Sequence, residues 1–332
     1  MPFFMTQGLG AFNDNVFKNA LAALLVFESS KMAGLNTDQL VNLSALVFIL
    51  PFFLFSALFG QFADKYEKSM QIRRVKLLEV VIMLLATLGF WLDNVLLLMF
   101  VLFLLGLQST IFGPIKYGIL PRILKREELV GGNALIEMGT FVAILGGTIA
   151  GPQLAGIDVS WPYWASVSCL AVAVTGYLFS LKIPPSPAVA PDLEISWNIF
   201  TETARNMRFI NQNRTVLNSV LGISWFWFFG AIFLVQIPSY TQNVLGGDKH
   251  LMSALLALFI IGISTGSLLC ERLSGKQVEI GLVPFGAIGL TLFGLDLYFA
   301  SPETPTAGIT VLEFLSGGHN WRIIIDLLLI GT

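Results

Sequence analysis

Charged residues are scarce in this chain: Asp, Glu, Lys and Arg together make up only 12% of its 332 residues. Soluble globular domains carry about 25% charged residues, so this deficit excludes an ordinary soluble enzyme. Hydrophobic residues account for 55% of the chain, and the mean hydropathy is +0.77. The formal net charge is only −2, so the distribution of the charges is more informative than their sum.

Residues that hold metal ions, disulfides or phosphates are also few. The two cysteines, Cys169 and Cys270, lie in separate apolar stretches, and we expect the two histidines, His250 and His319, in connecting loops. No CxxC pair and no GxxxxGK[ST] phosphate-binding loop occurs in the sequence. We therefore expect no catalytic residues, no metal ion, no cofactor and no nucleic-acid partner.

The chain consists instead of long apolar stretches, nine of which are long enough to cross a membrane as a helix of about 20 residues. They lie near residues 3–27, 40–62, 75–91, 95–119, 133–155, 161–181, 215–240, 251–272 and 280–300. A tenth begins near Trp321 and is cut short at Thr332, so we interpret the chain as a fragment of a longer protein. Because lipid does not tolerate unsatisfied backbone groups, the predicted fold class is an all-α, polytopic membrane protein.

The basic residues divide unequally between alternate loops, with 14 in one set, three in the other, and Lys18 and Lys116 inside predicted spans. The larger group is Lys65, Lys68, Arg73, Arg74, Lys76, Arg122, Lys125, Arg126, Lys182, Arg205, Arg208, Arg214, Arg272 and Lys276. The smaller group is Lys31, Lys249 and Arg322. The positive-inside rule places the richer loops in the cytoplasm, which predicts a cytoplasmic N-terminus.

One connection, residues 183–214, differs from the others. It opens with the proline-rich run PPSP and continues with apolar residues spaced among polar ones, which predicts a spacer followed by an amphipathic helix on the membrane face. Six predicted spans precede it and at least four follow. We therefore expect a six-helix N-terminal half at 1–182, a cytoplasmic linker at 183–214, and a C-terminal half at 215–332 that is truncated in its fourth helix.

Two ionisable residues, Asp14 and Lys18, lie one helical turn apart inside the first predicted span. A charge in the hydrocarbon core costs about 2.5–3.5 kcal/mol on insertion scales, so such residues usually mark a pathway or a site. The alternative is a structural salt bridge between the two at i,i+4 spacing. A polar route through a polytopic membrane protein indicates a transporter.

The loop after the second span, residues 60–68, reads GQFADKYEK. It resembles the signature GxxxD[RK]xG[RK] of the major facilitator superfamily, with Glu67 where the glycine belongs, and six helices on each side of a linker is the layout of that superfamily. The resemblance implies a gate, in which Gly60 lets two helices approach closely and Asp64 pairs across the cytoplasmic seam. A degenerate copy lies at 266–276. The implied gating residues are Gly60, Asp64, Lys65, Lys68, Glu271 and Arg272. The alternative is an ordinary charged loop.

A glycine-rich run in the fifth span, residues 146–152, reads GGTIAGP and resembles the glycine–proline motif of the same superfamily. Gly147 and Gly151 form a GxxxG pair, and so do Gly262 and Gly266. Small residues at this spacing predict close helix packing and do not imply contact with a substrate.

Two polar motifs carry a more specific resemblance. Residues 10–19, GAFNDNVFKN, and residues 113–121, GPIKYGILP, look like the bacterial lysophospholipid transporter family. Residues 225–238, 246–248 and 271–275 look closer to a branch whose transporter is fused to acyltransferase and acyl-acyl-carrier-protein synthetase domains. The resemblance covers essentially the whole chain.

The resemblance implies a secondary transporter that flips a lysophosphatidylethanolamine-like lipid across the bacterial inner membrane, toward the cytoplasmic leaflet for reacylation, by alternating access. It implies no enzyme activity in this chain. The implied partners are the lysophospholipid substrate, membrane lipid, and a fused or associated acyltransferase/acyl-acyl-carrier-protein synthetase.

The same resemblance makes Asp14 and Lys116 the cavity charges. A lysophospholipid headgroup needs a cation for its phosphate, which Lys116 supplies, and an anion or amide for an amine, which Asp14 supplies. Members of the resembled family that are not fused to enzyme domains carry an arginine on the seventh span. In the corresponding part of this chain the polar side chain is that of Gln236. The full set of candidate substrate-binding residues is Asp14, Lys116, Asn13, Asn15, Lys18, Glu137 and Gln236.

Two other functions fit the same composition and topology. One is a drug or small-metabolite antiporter. The other is a non-transporting membrane module that anchors a fused acyltransferase and presents substrate to it.

Overall fold

A computed structural model describes residues 1–27, 37–155, 161–277, 279–305, 308–318 and 320–332. In chain order its helices are α1 Pro2–Phe27, α2 Thr37–Lys65, α3 Lys68–Trp91, α4 Val95–Ile123, α5 Leu129–Ala155, α6 Trp161–Ser180, α7 Ile199–Gln212, α8 Arg214–Tyr240, α9 Lys249–Leu273, α10 Leu282–Ala300, α11 Val311–Ser316 and α12 Asn320–Gly331. Within the described residues, the only β-structure is an isolated bridge between Gly247 and Ile309. The predicted all-α fold class is confirmed.

Each of the ten predicted apolar stretches coincides with one helix, and the largest difference is at the start of α3. This helix begins at Lys68 instead of residue 75, because Glu67 caps its first turn. The Glu67 carboxylate accepts hydrogen bonds from the backbone N–H groups of Ser69 at 3.0 Å and Met70 at 2.7 Å. Such a cap satisfies donors that have no partner inside the helix, so a polar first turn becomes helical.

Six helical segments of the described chain are long and apolar enough to cross a membrane, and the protein is accordingly a multi-pass membrane protein. They are Asn42–Lys65, Val95–Ile123, Arg126–Leu154, Arg214–Leu245, His250–Leu273 and Leu282–Ala300. Helices α1 and α3 carry several polar and charged side chains. The described apolar part of α6, Trp164–Ser180, is shorter than any of the six segments. For these three helices and α12, membrane crossing stays a prediction.

The chain divides into two compact units. Unit 1 comprises Met1–Leu129 and Gly146–Asn206, and unit 2 comprises Val130–Leu145 and Met207–Thr332. Helices α5 and α7 therefore contribute residues to both units. The predicted six-helix half, cytoplasmic linker and truncated half stay predictions, although a helix does form in the predicted linker, over Ile199–Gln212.

Unit 1 packs α2 against α4, α3 against both α4 and α6, and α6 against α1. Its core is made of fully buried apolar side chains such as Phe17, Met83 and Leu102. Glycine allows one of these contacts to be very close: a Cβ on Gly106 of α4 would collide with the backbone carbonyl of Phe48 on α2. Backbone-to-backbone approach of this kind is how membrane helices gain packing energy.

Unit 2 is built around α9 and α12, with α10 packed on α12. Phe259 and Ile260 of α9 are buried against Ile323 and Leu327 of α12. The second GxxxG pair, at residues 262 and 266, faces the backbone of the last residues, because a Cβ at either position would collide with a carbonyl oxygen there. The close packing predicted for this pair is confirmed.

The basic-residue asymmetry predicts that the α2–α3 and α4–α5 connections face the cytoplasm. Two of the 14 residues behind that prediction, Lys68 and Lys76, are each only 1% exposed and so cannot meet lipid headgroups. Removing them leaves 12 basic residues against three, and the expected orientation is unchanged.

Cysteine labelling tests this orientation. In a Cys270→Ser background, a cysteine at exposed Arg126 should not react with a membrane-impermeant maleimide in intact spheroplasts, and should react after permeabilisation. A cysteine at exposed Leu92, in the opposite set of loops, is the matched control and should react in both cases. Labelling of position 126 in intact spheroplasts would reverse the topology.

Candidate functional site

A network of buried polar side chains joins α1, α3 and α4 in unit 1. The Glu79 carboxylate, 1% exposed, accepts hydrogen bonds from the Lys76 ammonium at 2.7 Å, the Asn13 amide at 3.0 Å and the Gln108 amide at 3.2 Å. Lys76 is equally buried, so the ion pair is withdrawn from solvent. Three donors on one carboxylate compensate for its lost hydration, which is the condition under which a charge is stable in such surroundings.

The network extends along α4 to Asp14 on α1. The Ser109 hydroxyl lies 2.7 Å from Asp14 Oδ2 and 3.2 Å from Oε1 of its neighbour Gln108. Asp14 Oδ1 and Asn13 Oδ1 are both buried and have no hydrogen-bond partner among the described residues. Because buried polar atoms are nearly always paired, these two oxygens are acceptors available to a ligand or to water.

Local sequence makes room for the buried lysine. Gly10, in the first of the two polar motifs, lies directly over Lys76, and a Cβ there would collide with the ammonium. The same ammonium is 5.3 Å from the centroid of the Phe112 ring on α4, a cation–π contact. A glycine on one side and an aromatic face on the other therefore enclose the charge.

The other charges predicted on α1 and α4, Lys18 and Lys116, each lie against an aromatic ring. The Lys18 ammonium is 4.5 Å from the centroid of the Phe48 ring on α2, a cation–π contact. Lys116 is half-buried, and its ammonium is 5.1 Å from the centroid of the Tyr117 ring. Lys116 follows Ser109 by seven residues, which places it on nearly the same face of α4, about 10.5 Å along the axis.

Asn15 lies where α1 packs against α5. Its amide donates to the Ala11 carbonyl of its own helix at 2.8 Å. Its Cβ faces α5, where a Cβ on Gly147 would lie 2.7 Å away, and a Cβ on Gly151 would lie 2.7 Å from the Val16 carbonyl oxygen. The first GxxxG pair therefore lets α5 rest on the backbone of α1, which confirms the predicted close packing.

The two remaining candidates belong to unit 2, whereas Asp14 and Lys116 belong to unit 1. Gln236 is exposed on α8, and Glu137 is half-buried on α5. Their predicted binding roles stay predictions.

Sequence reasoning missed Lys76, Glu79, Gln108 and Ser109. The signal that identified Asp14, an ionisable residue inside an apolar stretch, was also present at Glu79 in the third stretch. The basic-residue pattern predicts a loop position for Lys76, but its spacing of three residues from Glu79 is that of a helical ion pair.

Comparison with known proteins gives the family. Residues 3–325 match the family described as Major Facilitator Superfamily. This chain belongs to the Major Facilitator Superfamily. Among relatives, lysophospholipid transporter LplT of Enterobacter sp. (strain 638) is 28% identical over 333 residues, which cover 96% of this chain and 77% of that protein. Lysophospholipid transporter LplT of Serratia proteamaculans (strain 568) is 27% identical over 303 residues, covering 87% and 70%.

Two solved transporter structures share the fold. The proton:xylose symporter XylE bound to 6-bromo-6-deoxy-D-glucose aligns with a TM-score of 0.63 at 13% identity, covering 99% of this chain and 78% of that one. A bacterial homologue of the iron transporter ferroportin, in an outward-facing state, aligns with a TM-score of 0.56 at 15% identity, covering 99% and 80%. At these identities the likeness concerns the fold alone.

The superfamily signature at 60–68 differs in two respects from its expected form. Among the described residues, a Cβ at Gly60 would meet no atom within 4 Å, so the predicted close helix approach is not found there. Lys68 is buried, and its ammonium donates to the Ala63 carbonyl at 2.6 Å, which stabilises the C-terminal end of α2. Asp64 is exposed and Lys65 is half-exposed. The gating roles in this superfamily member stay predictions.

The second, degenerate copy of the signature lies at the end of α9. The Glu271 carboxylate lies against Gly131 at the start of α5, where an added Cβ would be 2.5 Å from the Glu271 carboxyl carbon. Arg272 is exposed. The contact of Glu271 with Gly131 is within unit 2, and gating by Glu271 and Arg272 stays a prediction.

Proposed function

We propose that this chain is a secondary transporter that flips lysophospholipid toward the cytoplasmic leaflet of the bacterial inner membrane by alternating access. The observation that carries the proposal is the buried polar network of α1, α3 and α4, with its two unpaired acceptor oxygens. Superfamily relatives named lysophospholipid transporter support the substrate class. Reacylation by a fused or associated acyltransferase would consume the transported lipid and draw transport inward.

The chemistry of the network suits a zwitterionic head. The oxygens of Asp14 and Asn13 that lack donors can accept hydrogen bonds from a primary ammonium. Lys116, two turns farther along the same face of α4, supplies a cation for the phosphate. Glu79 already accepts hydrogen bonds from three protein donors, so Asp14 and Asn13 are the better acceptors for the amine. In this proposal Glu79 orients Asn13.

The remaining candidates keep their predicted roles as parts of the proposal. Asn15, Lys18, Glu137 and Gln236 would contribute to substrate binding, and each can be tested by single substitution. The signature residues at 60–68 and the pair Glu271 and Arg272 would form the gate. The N-terminus would be cytoplasmic.

A leaflet-resolved uptake assay tests the function. The full-length natural protein is reconstituted in proteoliposomes, and labelled lysophosphatidylethanolamine is followed from one leaflet to the other. We expect protein-dependent movement of the lysolipid and not of small drugs. Drug or metabolite exchange without lipid movement would identify an antiporter, and no movement of either would identify a membrane module that only presents substrate.

Lys116→Ala should lower lysophospholipid transport about tenfold or more, because a charge-assisted contact to the phosphate is lost. Lys116→Arg should retain part of the activity, since the charge survives but the compact ammonium does not. The measurement is the initial uptake rate at equal amounts of folded protein. Lys125→Ala, which removes an exposed cation two residues beyond α4, is the matched control and should transport normally. Normal transport by Lys116→Ala would show that the phosphate is held elsewhere.

A further inference from the structure

The segment that follows α6 is fixed to unit 1 although it has no regular secondary structure. We call residues 183–197 the docked segment. It lies along the end of α2 and the start of α3, and its contacts begin at Ile183, whose carbonyl accepts a hydrogen bond from the Arg73 guanidinium at 3.0 Å. Ile183 itself is 1% exposed. A freely moving interdomain linker would not bury a residue in this way.

The middle of the docked segment is held by Glu67, the residue that replaces glycine in the superfamily signature. The Ser186 backbone N–H donates to Glu67 Oε1 at 2.6 Å, and the Lys68 N–H donates to the Ser186 carbonyl at 3.0 Å. The same carboxylate accepts from the N–H and hydroxyl of Ser69 and from the N–H of Met70. Partial burial would raise the pKa of Glu67, but these four hydrogen bonds together outweigh it and lower the pKa below its usual value.

The docked segment also completes the end of α2. The last carbonyl groups of a helix lack partners within it. Here the Asp64 carbonyl accepts from the N–H groups of Val189 and Ala190, both at 2.9 Å. At the far end, Gln61 exchanges two hydrogen bonds with the Ser196 backbone, at 2.9 and 3.3 Å. The contacts of the docked segment with α2 and α3 therefore extend from Ile183 to Ser196.

The ring contact of Trp197 closes this end of the interface. The Phe62 and Trp197 rings meet edge to face, with centroids 5.8 Å apart. Gln61, Phe62, Asp64 and Glu67 all belong to the 60–68 signature, so the predicted gate and the docked segment share one set of contacts.

We propose that Glu67 is a positioning residue of the transport cycle, which fixes the docked segment on the 60–68 signature so that the two move together. A glycine at this position has no side chain and could make none of the four hydrogen bonds. The change from glycine to Glu67 therefore removes conformational freedom of the backbone at this position and adds a side chain that holds the docked segment. Only the transport measurement below rests on the proposed function, because the anchoring itself does not depend on the substrate.

Hydrogen exchange at single-amide resolution tests the anchoring. In the full-length protein, the amides of Ser186, Val189 and Ala190 should be protected although they lie outside helices. Glu67→Asp keeps a good helix cap for α3 but is one methylene too short to reach Ser186 as well. We expect about tenfold lower protection at the Ser186 amide, with Val189 and Ala190 still protected, because their acceptor is a backbone carbonyl.

Two further variants complete the design. Glu67→Gly, which restores the signature, should lower the same protection at least as much as Glu67→Asp. Glu194→Ala, which removes an exposed carboxylate of the docked segment, is the matched control and should leave the Ser186 amide unchanged. Unchanged Ser186 protection in Glu67→Asp would overturn the anchor.

Uptake kinetics distinguish a role of Glu67 in the transport cycle from a role in stability alone. Glu67→Asp should lower the maximal uptake rate several-fold while leaving the apparent KM for lysophospholipid unchanged, because the substrate site is intact. Loss of Ser186 protection together with wild-type uptake kinetics would overturn the role of Glu67 in the cycle. Absence of lysophospholipid uptake by the wild-type protein would count against the proposed function, and the exchange result would still decide the anchor.

Discussion

Glu79→Ala alone should strongly lower the thermal stability of the protein. The substitution leaves the Lys76 ammonium, 1% exposed, without its carboxylate partner. Loss of one member of a buried ion pair costs about 3–5 kcal/mol, a large share of the roughly 5–15 kcal/mol that stabilises a typical protein. The Phe112 ring beside the ammonium offsets only part of this, on the order of 1–2 kcal/mol. Thermal stability in detergent, followed by fluorescence size-exclusion chromatography, measures the loss.

A double variant separates stability from function at this pair. Lys76→Met with Glu79→Leu removes both charges, and replacing a buried pair by apolar residues is often neutral for stability. We expect the double variant to fold and to transport poorly, because Asn13 and Gln108 lose the acceptor that orients them. Glu127→Ala, which removes an exposed carboxylate, is the control and should change neither thermal stability nor transport. Normal transport by the double variant would make the pair purely structural.

Most of the helices could be predicted because each membrane-spanning stretch is uniformly apolar over about the length that a bilayer requires. The start of α3 could not, since its first turns are polar and become helical through the Glu67 cap. The cap depends on a side-chain geometry that hydropathy does not report. Helix α7 could be expected because its apolar residues recur at helical spacing. This pattern predicts an amphipathic helix and not one that crosses the bilayer.

The candidate site could be predicted only in part. A sequence can indicate that a polar residue is buried, but it does not indicate which other polar residue it contacts. Asp14 was identified by its charge in an apolar stretch, but its partner Ser109 lies 95 residues away. Asn13 and Glu79 are 66 residues apart, and Ser186 and Glu67 are 119 apart. Contacts at such separations are decided by helix packing, for which a single sequence carries no local signal.

The misassignment of Lys76 has a physical cause as well. The positive-inside rule counts lysines by their position along the chain and assumes that their side chains reach the headgroups. Gly10 opens a space beneath α1, and this space admits the Lys76 ammonium into the bundle. In the sequence this glycine belongs to a motif that resembles a family, and its steric role is visible only when α1 and α3 are placed together.

Gly147→Ala should destabilise the protein and displace the helix that carries Asp14. A Cβ at residue 147 would lie 2.6 Å from the Phe12 carbonyl oxygen, 2.7 Å from Asn15 Cβ and 2.9 Å from the Val16 N–H nitrogen. Two of these three atoms are backbone, so the clash cannot be relieved by a side-chain rotation, and α1 and α5 must separate. Overpacking of this kind costs about 1–3 kcal/mol. The measurement is again thermal stability in detergent.

Gly8→Ala is the matched control for this prediction, since a Cβ there would meet no atom within 4 Å among the described residues. Alanine is also the better helix former by about 1 kcal/mol, so the control should be as stable as the wild type or more stable. Transport by Gly147→Ala should fall even at temperatures where it stays folded. The reason is that a shift of α1 lengthens the 3.0 Å contact of Asn13 with Glu79 and the 2.7 Å contact of Asp14 with Ser109. Wild-type stability and transport in Gly147→Ala would mean that α1 and α5 are farther apart in the membrane than this packing requires.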